Sequence, residues 1–279
     1  MDNIITQEHI DAYCRSLLAD ERAAGTVAKY RRDLAAFALW LDGRGVTKEN
    51  AARWKAHLLE RGYKPTSINA MLSAINGFFA FMGWSIRVKF LKIQHQLFRD
   101  PTREMTRQEY DRLLTAARES GQERLALIME TLCATGIRVS ELRYITVEAA
   151  KAGRATITLK GKIRTILLPA KLCRKLVKYA KKQKTASGEI FLTKSGRPIT
   201  RRQVWYELKR LCKAAGVEPT KVFPHNLRHL FATTFYRACR DIVRLADMLG
   251  HSSIDTTRIY LMVSGTEQQR QLDRLGLVS

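Results

Sequence analysis

At 279 residues, 46% of them apolar, the chain is long enough for one large or two medium domains with cores of their own, and too apolar to be disordered. Its net charge of +23, from 49 Lys and Arg against 26 Asp and Glu, points to a polyanionic partner, and nucleic acid is the obvious one. The apolar runs are short and broken by charge, the N-terminus is acidic, and the five cysteines are scattered without a CxxC pair. These features argue against a membrane span, a signal peptide, a disulfide framework and a zinc site, and the expected location is cytoplasmic.

In chain order, residues 4–20 give the first helical pattern. From Thr26 onward, Val27, Tyr30, Leu34, Phe37 and Leu41 recur at spacings of three and four, one apolar face of a helix with Arg31, Arg32 and Asp33 opposite. The stretch GRGVTKENAARWKAHLLERGYKPTS reads as turn, helix, turn, and Ile68, Leu72, Ile75, Phe79 and Met82 repeat the helical stripe. These make about four helices and no strand, so residues 1–92 are expected to form a small helical domain. Residues 93–103 have no clean period and carry Pro101, which marks a linker.

Thr106 and Glu109 form a capping box that opens a second domain, 104–279. Inside it RATITLKGKIRTILLPA alternates β-branched residues and turns at Lys160-Gly161-Lys162, a hairpin signal, while GEIFLT offers a third short strand. Helices resume at Thr200 and again over 224–240. The fold class is therefore mainly α with a small β-hairpin or sheet. Residues 151–213 hold 19 basic residues against Glu189 and Glu207, too lopsided for solubility alone.

Five short segments carry the chemistry. They are ATGIRVSEL with Arg138 and Glu141, LKGKIRT with Lys160 and Lys162, PHNLRH with His225 and Arg228, LGHSS with His251, and TTRIY with Tyr260. Singly each is ordinary: Arg138 as a surface arginine after a helix, His251 as a helix cap, Tyr260 as a core aromatic. His225 and His229 lie four apart, but Asn226 stands where a zincin has its glutamate and no third ligand follows, so no metal is expected. Together they suit transfer of a phosphodiester without metal or cofactor. Two arginine forks can hold the charged oxygens of the transition state, a tyrosine can attack phosphorus, and a lysine or histidine can protonate the leaving oxygen.

In kind and order these segments resemble the tyrosine recombinase (phage integrase) family, and within it the Xer-like branch. ATGIRVSEL is similar to that family's first arginine box, PHNLRHLFATTF to its HxLRHxFAT box, and LGHSSIDTTRIYLMV to its LGHxSxxTTxxY box. The resemblance implies an N-terminal core-binding, SAM-like domain ahead of an α+β catalytic domain, without an arm-binding domain. It implies that Arg138 and Arg228 clamp the scissile phosphate and that Tyr260 forms a 3′-phosphotyrosyl link. His225 and His251 then bond the phosphate, and Glu141 supports the site from behind. The general-acid lysine falls in the hairpin turn, which is one residue shorter than the family's pattern; alignment from the left selects Lys160, and from the arginine side Lys162.

Lys162, Arg164, Arg201, Arg202, Arg31 and Arg32 are the candidate DNA contacts. Ile254, Ile259 and Leu261 are expected to supply the packing around the last box, leaving the Tyr260 hydroxyl free to face a phosphate. The implied partners are duplex DNA with an inverted-repeat site and further copies of the chain, in a tetramer that exchanges strands through a Holliday junction at the nucleoid. A C-terminal helix after Tyr260 would dock on a neighbouring subunit, and a partner recombinase or accessory protein stays open. A type IB topoisomerase or hairpin resolvase shares this chemistry. An inactive DNA-binding protein of the same fold should lack the tyrosine or an arginine, and all are present.

Overall fold

A computed structural model describes residues 3–93, 101–159, 162–251, 253–260, 269–270 and 273–275. It divides into two compact units, Met1–His95 and Gln96–Ser279.

The first unit holds four helices, α1 (Gln7–Ala19), α2 (Ala24–Leu41), α3 (Lys48–Glu60) and α4 (Pro65–Phe81). Thr6 and Thr47 cap α1 and α3 through their hydroxyls, and Pro65 opens α4 at a position where its missing N–H is not needed. The Val27–Leu34–Phe37–Leu41 stripe of α2 is buried against Ile68, Leu72, Ile75 and Phe79 of α4 and Ile10 and Leu17 of α1. Each such side chain contributes about 1.5–3 kcal/mol by leaving water. Asp33, expected on the polar face, is buried and paired with Lys29 one turn earlier. The reason is that α2 packs on α1, α3 and α4 at once, so its buried arc is wider than one stripe.

In the second unit α5 (Arg107–Glu119) starts at the Thr106–Glu109 capping box, as its sequence predicts. Helix α6 (Glu123–Thr135) runs through the core, against α5 and three later helices, and is apolar nearly all round. After a 3-10 turn, Val139–Tyr144, come α7 (Val147–Ala152) and the strands β1 (Arg154–Leu159) and β2 (Lys162–Leu167). The strands pair antiparallel, with Arg154 opposite Leu167 and Ile157 opposite Arg164. Then follow α8 (Ala170–Lys182), α9 (Arg201–Ala215), α10 (Pro224–Cys239), α11 (Ile242–Leu249) and α12 (Ile254–Arg258). α8, α9 and α10 all pack on α6.

GEIFLT does not become a third strand. It makes only isolated bridges, Thr146 with Glu189 and Leu192 with Pro198. The consecutive Ile190 and Phe191 are both buried, which an alternating, half-exposed strand cannot achieve. Among the described residues no helix is long and apolar enough to cross a membrane, and all five cysteines are free thiols.

Candidate active site

The site begins where α6 ends. Gly136 caps that helix in the left-handed conformation, φ +64°, and an added Cβ would lie 2.3 Å from Phe231. Only glycine lets the chain turn so close to α10. Two residues on, Arg138 starts the 3-10 turn, and Glu141 reaches back to it. The Glu141 carboxylate accepts from the Arg138 backbone N–H at 2.7 Å and from Arg138 Nη1 at 3.2 Å. A carboxylate that is 1% exposed is tolerable only when paired in this way, and the pairing aims a 41% exposed arginine outward.

Helix α10 brings His225 and Arg228 to the same place from one turn. Arg228 is buried, and its guanidinium donates from Nη1 to the Gly136 carbonyl, from Nη2 to the Leu249 carbonyl at 2.8 Å and to His251 Nε2 at 3.0 Å. Both carbonyls belong to helix C-terminal ends, of α6 and α11, whose partial negative charge favours a cation there. Burial still pulls the Arg228 pKa down to about 10, with Arg138 adding to the effect and the Tyr260 hydroxyl opposing it.

His251 follows Gly250, the left-handed cap of α11. Because a guanidinium only donates, Nε2 of His251 must accept from Arg228; Nδ1 then carries the proton toward Thr257 Oγ1 at 2.9 Å. This network suits the neutral ring, and the pKa is pushed down to about 4, first by burial and then by Arg228, Arg138, Arg164 and His225. His225 is also held below the ordinary histidine value, first by desolvation from the surrounding protein and then by Arg228, Arg138 and Arg201.

Tyr260 departs from the expected packing. It is 3% exposed and belongs to a cluster with Phe231, Ala232, Leu245 and Leu249, whereas Ile254 and Ile259 are 46% and 41% exposed. A five-residue helix such as α12 presents only one inward face, which Thr257 occupies, and Tyr260 is buried in the turn that follows it. The tyrosine ring sits between two imidazoles, 4.9 Å from His229 and 6.1 Å from the nearly parallel His251.

A cleft of about 780 Å³ gathers these groups, lined among others by Arg138, His225, Arg228, His251 and Tyr260. Arg201 and Arg202, at the start of α9, line it too and are exposed. Arg164, expected at the DNA, instead turns inward to Glu141 and the Met248 carbonyl. Arg31 and Arg32 are exposed on α2 of the first unit, Arg31 in an ion pair with Asp11. Lys160, the side chain of Lys162 and most of the segment after Tyr260 lie outside the described residues. Sequence reasoning passed over His229, Thr257 and the rim residue Trp205. His229 stands one turn from His225, a spacing weighed only for metal. Among the described residues no three His, Cys, Asp or Glu side chains gather as a metal site requires.

A mainly helical unit with one small hairpin, and two arginines, two histidines and a tyrosine converging on one cleft, defines a protein built for phosphodiester chemistry. Residues 103–267 match the phage integrase family, and residues 10–85 match the phage integrase N-terminal SAM-like domain. Tyrosine recombinase XerA of Thermococcus kodakarensis is 29% identical over 97% of this chain and 96% of its own length. Tyrosine recombinase XerC of Roseiflexus castenholzii is 31% identical over 91% and 88%. A lambda integrase tetramer bound to a Holliday junction has the same fold, with a TM-score of 0.73 at 21% identity over 93% of this chain and 78% of that one. The chain belongs to the phage integrase family and is a tyrosine-type site-specific DNA recombinase.

Proposed function

We propose that the recombinase cuts and rejoins DNA through Tyr260, whose Oη attacks the scissile phosphorus to give a 3′-phosphotyrosyl intermediate. The carrying observation is that Arg138, His225, Arg228, His251 and Tyr260, drawn from three separate sequence boxes, line one cleft. Arg138 and Arg228 hold the two non-bridging oxygens; one such preorganised donor is worth about 3–4 kcal/mol in the transition state. Arg228 has five N–H groups and places three contacts on protein acceptors, which fixes its plane while leaving donors for phosphate. His225 and His251 bond the phosphate, and Glu141 sets Arg138. A lysine of the hairpin turn, Lys160 in preference to Lys162, protonates the departing 5′ oxygen. Exchange without net loss of a phosphodiester needs neither metal nor high-energy cofactor.

The same reading makes residues 1–92 a core-binding domain, 93–103 a linker and 104–279 the catalytic domain. The lambda integrase tetramer bound to a Holliday junction supports a tetramer of this chain on such a junction, and the same reading gives it inverted-repeat duplexes as partners, where the cell's DNA lies. A nicked suicide duplex carrying the chain's own site tests the core of this proposal. The parent chain is expected to form a protease-sensitive covalent adduct in EDTA. Tyr260→Phe keeps the ring that packs in the core, so it should bind the duplex and form no adduct. An adduct with Tyr260→Phe overturns the assignment, and site-independent relaxation of supercoils would redirect it to a topoisomerase.

A further inference from the structure

We infer that Arg164 is a positioning residue, which ties strand β2 to the Arg138 turn and to the turn after α11 so that the hairpin's general acid meets the leaving oxygen in register with the phosphate clamp. The inference rests on the strand-transfer chemistry proposed above. Strand alternation puts Arg164 on the inward face of β2 with the buried Ile166, while Ile163 and Leu167 are 73% and 76% exposed. From there Nη2 meets Glu141 Oε2 at 2.7 Å and Nη1 donates to the Met248 carbonyl at 2.6 Å. The arginine thus joins three parts of the chain: β2, the 3-10 turn and the end of α11.

Two further observations show that the fit is specific. Gly250 lies flat against this side chain, and a Cβ there would come within 2.7–2.9 Å of Nη1, Cδ and Cζ of Arg164. The Glu141 carboxylate takes the Arg138 guanidinium on Oε1, and on Oε2 both the Arg138 backbone N–H and the Arg164 guanidinium, so a single buried group fixes the spacing between the phosphate clamp and β2. A planar fork spans two acceptors set on different elements with fixed geometry, whereas a lysine supplies its charge at one point. Neither Arg164 nor Glu141 is among the residues that line the cleft.

In cleavage the P–Oη bond forms, the P–O5′ bond breaks, the 5′ oxygen takes a proton from the general acid, and the phenol proton passes to a histidine or water. Sulfur in place of that 5′ oxygen leaves as a thiolate, which needs no proton near neutral pH. The test compares single-turnover cleavage of a suicide duplex and of the same duplex with a 5′-bridging sulfur. Arg164→Lys keeps a charge opposite Glu141, so the carboxylate is not stranded; Gly250→Ala leaves both charges and displaces the fork. Melting curves accompany both variants.

Each variant is expected to cleave the ordinary duplex at least about tenfold more slowly, a misplaced general acid being worth up to 10²–10⁴. Each should cleave the sulfur duplex within a few-fold of the parent. Equal losses on both duplexes, or no loss on either, overturn the inference. A parent chain that forms no adduct on either duplex overturns the strand-transfer proposal instead, a distinguishable result.

Discussion

His251 reports the electrostatic state of the cleft. Its ring is neutral because burial and three arginines disfavour a second proton, and Arg228 occupies its Nε2 lone pair. The folded-state pKa of about 4 lies below the ordinary 6.5, so between those values the unfolded chain binds more protons than the folded one. Stability therefore rises with pH across that window and is lost as pH falls through it. The melting temperature without DNA is expected to drop from pH 7 to pH 5, with a shallower slope in His251→Asn. A phosphate in the cleft reverses the local balance and raises both histidine values. Binding at pH 6 should then take up protons, measurable by calorimetry in two buffers of different ionisation enthalpy, and less so in the same variant. The sequence made Arg138, His225, Arg228 and His251 legible because each sits in a short box of fixed spacing. It did not show which way Arg164 points. In KIRTIL both parities carry apolar residues, so alternation does not tell the inward face from the outward one, and the solvent-facing Ile163 and Leu167 mislead. Tyr260 misled for the opposite reason: the site needs a residue that is core aromatic and cleft lining at once.

Gly136 shows how an element boundary sets the chemistry. It ends α6, lets Phe231 and Leu249 close over it, and offers its carbonyl to Arg228. Gly136→Ala would place a methyl 2.3 and 2.6 Å from Phe231 and 3.0 Å from Leu249, besides the strain of φ +64°. The expected cost is roughly 1–3 kcal/mol. Each kcal/mol lowers the melting temperature by about 2–4 °C in a protein of this size. Gly121 has a similar φ, +67°, with nothing within 4 Å of an added Cβ. Gly121→Ala isolates the backbone strain, so it should melt higher than Gly136→Ala and cleave DNA as the parent does; equal effects would mean that the contact with Phe231 is irrelevant. Helices with a long apolar stripe or a capping box, such as α2, α4 and α5, could be read from sequence because those signals are local. GEIFLT could not, because its short apolar run suits both a strand and a loop whose Ile190 and Phe191 are buried in the core. Only the tertiary arrangement decides between them.

Across the whole molecule the basic excess is concentrated after residue 100, with 34 basic against 16 acidic residues, compared with 15 against 10 before it. Charge count alone overstates the number of cations that can meet phosphate. Arg164 is spent on Glu141, Arg31 on Asp11, Arg124 on Glu207 and Lys175 on Glu130. A cation already neutralised by a carboxylate gathers few phosphates and releases few counterions, whereas Arg201 and Arg202 are exposed, line the cleft and form no ion pair among the described residues. The logarithm of the affinity should fall with the logarithm of salt concentration by about 0.9 for each phosphate neutralised. Arg201→Ala and Arg202→Ala are each expected to reduce that slope by about 1 and to weaken binding on any duplex alike. Arg164→Ala should leave the slope unchanged, because its charge is already compensated inside the protein. Measured over a salt series with the same duplex, a slope change for Arg164→Ala as large as that for Arg202→Ala would show that net charge, rather than unpaired charge on the cleft, governs how this recombinase holds DNA.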